Sequence, residues 1–257
     1  QESFEAADLT PFFRRSLIPP FPPAPDLGGF LTAQCGGRSA LLVPFVRFLL
    51  RDGTIERTAW GEYILKPEGS LKTPSRQLRR FVLKTVLPSD LLPGDRALLE
   101  LLACVRSGID LETMSALAQS PLPHLRRRLE YLERAGVVQV ENETWRLTFP
   151  LLREAIEGEL EPRRRREIHR ALLRHRRRLL SPRDRAYHLK EVGRNAEAKK
   201  WFLESARMHM RDKKPLEAAA DLEQALTLPG RFPLSAVAVS YTHLRAHETR
   251  HDLVCRL

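Results

Sequence analysis

The chain has 257 residues, enough for two or three small domains, and 42% of them are hydrophobic. Its formal net charge of +11 is carried mainly by arginine, a bias that suits a solvated basic surface or a phosphate-bearing partner. No apolar run is long enough to span a bilayer and no signal-peptide pattern is present, so no membrane contact is expected.

Cys35, Cys104 and Cys255 have neither metal nor disulfide spacing, which suits a reducing cytoplasm. Because Gln1 stands where Met would, an N-terminal part is expected to be missing. Residues 1–26 read as irregular, since Pro19-Pro20-Phe21-Pro22-Pro23 cannot be helical and forms an extended connector. A helix is predicted from Asp26, with Phe30 and Leu31 ahead of a break at Gly36-Gly37. A second spans Ser39 to Leu50, with Leu42, Phe45, Val46 and Leu49 on one face and Pro44 as a cost or kink inside it. Asp52-Gly53 is a turn. Ile55, then Tyr63, Ile64 and Leu65, predict a short hairpin around Gly61. A third helix runs from Ser75 to Val86 with Leu78, Phe81, Val82 and Thr85 inward.

From Pro93 to Ile156 the pattern is three short helices and a two-stranded ribbon, the order of a winged helix. Leu98, Leu101, Leu102 and Val105 form one apolar stripe, and Gly108 is expected to break that helix. Asp110 can cap the next, whose Leu111, Met114, Leu117 and Ala118 share a face. Ser120 reads as a cap and Pro121 as the first residue of the third helix, with Leu122, Leu125, Leu129 and Leu132 buried and Gly136 ending it. The period then becomes two. Val138 and Val140 alternate with polar residues, Glu141-Asn142-Glu143 turns the chain, and Trp145, Leu147 and Phe149 alternate on the return. About 60 residues of this kind give a small but adequate core.

Helical hairpins follow. Ile168, Leu172 and Leu179 support a helix starting near Pro162, and Tyr187, Leu189 and Val192 a second, stopped by Gly193. Asn195 is expected to cap a third that reaches Met210 with Trp201, Phe202 and Ala206 inside. Pro215 starts a fourth with Ala218, Leu222 and Ala225 inward. His169 reads as a histidine on a helix face.

Three stretches carry a resemblance. Trp145 to Ile156, with Pro150-Leu151-Leu152-Arg153-Glu154-Ala155 intact, resembles the end of the winged helix in multidomain signalling ATPases of the AAA+/STAND type. Phe149 stands where that family usually has histidine. Gly36-Gly37 resembles the start of the helical lid that follows the nucleotide-binding core, with Arg38-Ser39 in place of Asn-Pro. From Phe202 to Gly230 the spacing is similar to a tetratricopeptide repeat: Ala206 and His209 on its first helix, Ala218, Leu222 and Ala225 on its second. The resemblance implies a mainly α chain. Residues 1–90 would be a lid region, 91–158 a winged helix and 159–237 truncated repeat hairpins.

The tail is a different object. Residues 239–249 resemble one reading frame of a transposon end used in sequencing libraries, and 252–257 the same frame of the primer that follows. Residues 238–257 are therefore expected to be adapter-derived. His247-Glu248-Thr249-Arg250-His251 matches the His-Glu-x-x-His zinc motif. It has no third ligand downstream and is read as spurious, so His247, Glu248 and His251 are not taken as metal ligands.

The sequence thus predicts a non-catalytic, cytoplasmic fragment. No phosphate-binding loop is present, so no cofactor is expected in it; the resemblance implies ATP and magnesium for the parent protein. Gly36 and Gly37 are the lid-loop candidates for nucleotide contact, and Arg153 and Glu154 the candidates for an interdomain ion pair. A protein partner is expected on the repeats. The alternative is a DNA-binding winged helix whose Arg126, Arg127 and Arg128 meet phosphates; few Asn, Gln or Ser accompany them to read bases, so any such binding is expected to be weak.

Overall fold

The structure, a computed structural model, describes residues 25–57, 63–65, 74–175 and 180–229. The tail motif at His247, Glu248 and His251 lies outside the described residues, as do the proline-rich start, Gly61, Leu179 and Arg176 to Arg178. The chain is mainly helical with two small antiparallel sheets. It forms two compact units, residues 1–162 and 163–257. The sequence boundary at 90/91 falls inside the first.

In the first unit, α1 (Pro25–Cys35) and α2 (Ser39–Asp52) are separated by Gly36 and Gly37, both at positive φ. Pro44 sits inside α2 and costs about 3 kcal/mol. Burial of Leu41, Leu42, Phe45, Val46 and Leu49 outweighs it, at about 1.5–3 kcal/mol each. β1 (Ile55–Arg57) pairs antiparallel with β2 (Tyr63–Leu65). Ser75 caps α3 (Arg76–Val86) by accepting from the Leu78 N–H. That helix buries Leu78, Val82 and Val86. Phe81, expected inward, is 40% exposed. It lies one residue, hence about 100°, from the buried row.

The helix α4 (Pro93–Ala103) ends before Gly108, where the sequence predicted the break. Cys104 and Val105 fold back through N–H bonds to Leu101 and Leu102 carbonyls, and both side chains are buried. Gly108, at φ +79°, instead delivers β3 (Ile109–Asp110). A Cβ there would lie 2.6 Å from Thr144 Oγ1, so only glycine lets the strand approach. Asp110 caps α5 (Leu111–Ala118), accepting from the Thr113 N–H at 2.7 Å. Of the expected face only Met114 is fully buried, and Ala118 is exposed. The cap of α6 (Leu122–Arg134) is Pro121, not Ser120, whose carbonyl accepts from the Ser115 hydroxyl at 2.6 Å. Leu122, at the open first turn, is 42% exposed, while Leu125, Leu129 and Leu132 are buried.

β4 (Val138–Glu141) and β5 (Thr144–Leu147) form the predicted hairpin, with Asn142 and Glu143 both at positive φ in its two-residue turn. β3 adds a third strand, giving the order β3-β5-β4. After Phe149, α7 (Pro150–Glu159) buries Leu151, Leu152, Ala155 and Ile156 and packs on α3.

The second unit contains α8 (Pro162–His175), α9 (Pro182–Glu191), α10 (Asn195–Arg211) and α11 (Pro215–Thr227). Arg194, not Asn195, is the residue before α10. That helix packs on both α9 and α11. The core joins Ala186, Leu189, Ala198, Phe202, Leu203, Ala225 and Leu228, with Leu222 packed at its edge. Alanines at the crossings let the helix backbones approach closely. No described helix is long and apolar enough to cross a membrane.

One buried charge fastens the middle of the first unit. Asp95, with no exposed surface, accepts the Leu92 N–H at 2.9 Å and the Arg128 Nε–H at 2.5 Å, and pairs also with Arg128 Nη2. It therefore caps α4 and ties it to α6. Asp95→Ala is expected to lower the unfolding free energy by about 3 kcal/mol, because a cap and a buried ion-pair partner go together. Urea denaturation measures this, and a loss below about 1 kcal/mol, the upper end for an exposed pair, would show the pair to be dispensable.

Candidate functional site

The lid-loop candidates sit against the hairpin segment. A Cβ on Gly36 would stand 2.6 Å from Phe149 Cδ1, so the bare backbone is what allows the ring in. Arg38 donates through Nη2 to the Gly136 carbonyl at 2.7 Å, and its guanidinium lies 5.7 Å from the Phe149 ring centre. Burial lowers the pKa of Arg38 from its ordinary value. Gly136, at φ +68°, also accepts the Thr148 hydroxyl at 3.0 Å. Two departures noted in the sequence, Phe149 and Arg38, therefore meet the Gly36 backbone in one joint. Its polar groups point at protein atoms.

The arginine triplet divides. Arg126 and Arg127 are exposed on α6, whereas Arg128 is engaged by Asp95 and lies 5.3 Å from the Tyr131 ring centre. The phosphate role read for Arg128 is corrected accordingly: its guanidinium serves the α4–α6 tie. Glu130, Glu133 and Arg134 are exposed on the same helix, which makes that surface mixed in sign.

Arg153 and Glu154 lie half-buried on α7. Burial raises the Glu154 pKa above its ordinary value, Arg153 and Arg106 act against that, and Glu157 adds to it. Cys35 is buried beside the glycine loop, and desolvation pushes its thiol up to about 12, so it stays protonated. Cys104 is likewise buried. Among the described residues no group of acids, histidines and cysteines could hold a metal ion.

The second unit holds two polar assemblies that the sequence reading missed. Asp221 on α11 is fully buried. Its Oδ2 accepts the Ser205 hydroxyl at 2.6 Å and lies 2.9 Å from His209 Nδ1, both on α10. Arg183 Nε of α9 stands 2.9 Å from Oδ1, an ion pair without hydrogen-bond alignment. One carboxylate thus gathers three helices. Its signal was present: Asp221 falls on the same helical row as Ala218, Leu222 and Ala225. His169, read as a face residue, is instead buried, with its Nδ1 2.8 Å from Nδ1 of buried His188. At that distance one ring must donate and the other accept. Tyr187 meets the His169 ring edge-on at 5.4 Å.

Beside these lies an open cleft of about 820 Å³. Arg170, Leu173 and Arg174 of α8 form one wall, and Arg185, Leu189 and Val192 the other. Arg194 and Glu197 also line it and bond each other twice, at 2.7 and 2.6 Å. The Arg185 guanidinium stacks 4.1 Å from the Trp201 ring centre.

No protein-family description matches the chain. No curated protein matches it either. Among solved structures it is similar to a crystal structure from Pyrococcus horikoshii, a signal transduction ATPase with numerous domains (STAND) with a tetratricopeptide repeat sensor. The identity is 14% and the TM-score 0.37, over 93% of this chain and 38% of that one. This is a weak fold-level likeness, and the chain spans well under half of that protein's length.

Glu154 yields a prediction with a definite sign. An acid whose folded pKa is raised opposes folding when ionised; its neutral form is favoured below the ordinary value of 4.5, and that advantage is lost as pH rises through the folded pKa. Glu154→Gln is therefore expected to raise the melting temperature at pH 7, with the gain shrinking as pH falls through the raised folded pKa and gone below 4.5. Thermal melts across pH check it, and a variant that melts lower at pH 7 would refute the assignment.

Proposed function

We propose that this chain is a non-catalytic regulatory piece of an ATP-dependent signalling protein. In this reading the first unit comprises lid and winged-helix segments, and the second a set of repeat hairpins that bind a partner protein. The first unit passes the nucleotide state of an upstream core to the repeats. The observation that carries the reading is the joint of Gly36, Arg38 and Phe149. Bare backbone against an aromatic ring, with an arginine bonded across to Gly136, obliges the α1–α2 loop and the start of α7 to move as one body. A coupling element needs that rigidity, since a change at one end must be carried through packed groups to the other. ATP and magnesium belong to the parent in this proposal, and this chain contributes no phosphate loop to hold them.

Gly36→Val tests the coupling. The new side chain must push Phe149 aside and adopt a φ of +58° that a β-branched residue resists. Native-state hydrogen exchange is expected to quicken together across residues 30–40 and 147–155. Loosening confined to the loop would overturn the idea of a shared body.

The non-catalytic part has its own check. The purified chain with ATP and magnesium is expected to release phosphate no faster than a protein-free blank. Steady turnover that survives further purification would overturn it.

A further inference from the structure

We infer that the cleft between α8 and α9 is the docking groove of the second unit and takes an acidic amphipathic helix. This rests on the reading of that unit as a partner-binding repeat and names the partner's chemistry.

Two features of the cleft set the occupant. Leu173 and Leu189 give it apolar walls, and Arg170, Arg174 and Arg185 surround them with positive charge. Arg170 and Arg174 are exposed and form no ion pair among the described residues. Arg185 is held in place by its stack on Trp201. The one carboxylate on the lining, Glu197, is taken up by Arg194. Apolar walls among unneutralised guanidinium groups are the complement of a helix with a leucine stripe flanked by Asp or Glu. A small anion fits less well, because the cleft is open along one side and cannot bury most of a compact ligand, as small-molecule sites do. The spacing agrees: Arg170, Leu173 and Arg174 repeat at one helical turn, the interval at which a docked helix presents its own residues.

The test uses the full chain and a fluorescent peptide of about 18 residues, long enough to be helical. The peptide carries leucines at i, i+3, i+4 and i+7 with glutamates on both flanks. Controls are a lysine-flanked version, a scrambled version and inorganic tripolyphosphate as competitor. Binding is measured by anisotropy at about 0.15 M salt, where weak long-range attraction is screened. The glutamate peptide is expected to bind about tenfold or more tighter than both control peptides. Arg170→Glu with Arg174→Glu should weaken it about tenfold and turn the preference towards the lysine peptide. Circular dichroism of the variant confirms that it is folded, and Arg126→Glu with Arg127→Glu should leave binding unchanged.

Equal binding of the scrambled peptide, or displacement by tripolyphosphate at equal charge, overturns the groove as a helix site. Binding that survives the Arg170 and Arg174 reversal overturns the cleft assignment and leaves partner binding by the repeats standing. Binding of none of the peptides overturns both.

Discussion

A carboxylate buried without any exposed surface is the constraint on which the middle of the first unit depends. Asp95 cannot be left unpaired there: the penalty for stranding a buried charge runs to several kcal/mol. It meets that requirement in two directions. The Leu92 N–H fixes where α4 begins, and the Arg128 fork fixes how α6 lies across it. With those two helices set, Leu98, Leu102, Leu125 and Leu129 are all buried, α4 packs on β5 and α6 on β4.

The second unit repeats the device with different atoms. Asp221 is equally buried, but its partners come from α9 and α10, so it fixes the relation of three helices rather than two. Two residues on its helical row, Ala218 and Ala225, are small and contribute little dispersion energy. In a thin helical array with a small core, a buried ion pair specifies which face meets which even where its net stabilisation is modest.

Regular elements were legible where their periods were long. The α6 leucines declared themselves because several positions agree, and Leu125, Leu129 and Leu132 are buried; of the β4 valines Val138 is buried and Val140 is exposed. Short or irregular features were not. β3 has two residues, too few for an alternation to show. The sequence predicts Phe81 inward because its apolar stripe is wider than the row of Leu78, Val82 and Val86 that packing uses. Leu122 fell outside because the first turn of α6 has no neighbour over it. The site was less legible than the fold. An arginine on a sequence row has no stated partner, so nothing separated Arg128, bound to Asp95, from Arg126 and Arg127, exposed beside it. His169 and His188 are nineteen residues apart, and only the folding of α8 onto α9 brings their rings to 2.8 Å.

The seat of Phe149 on Gly36 also constrains how this chain can vary. A substitution at position 36 must solve two problems, a ring 2.6 Å away and a left-handed backbone at φ +58°. Shrinking residue 149 removes the first and leaves the second, so even a compensated chain is restricted at position 36 to glycine or the few residues, asparagine and aspartate foremost, that tolerate that conformation. Enlarging residue 149 relieves neither. Among descendants of this sequence the two positions should therefore drift together and in one direction, with changes at 149 preceding changes at 36.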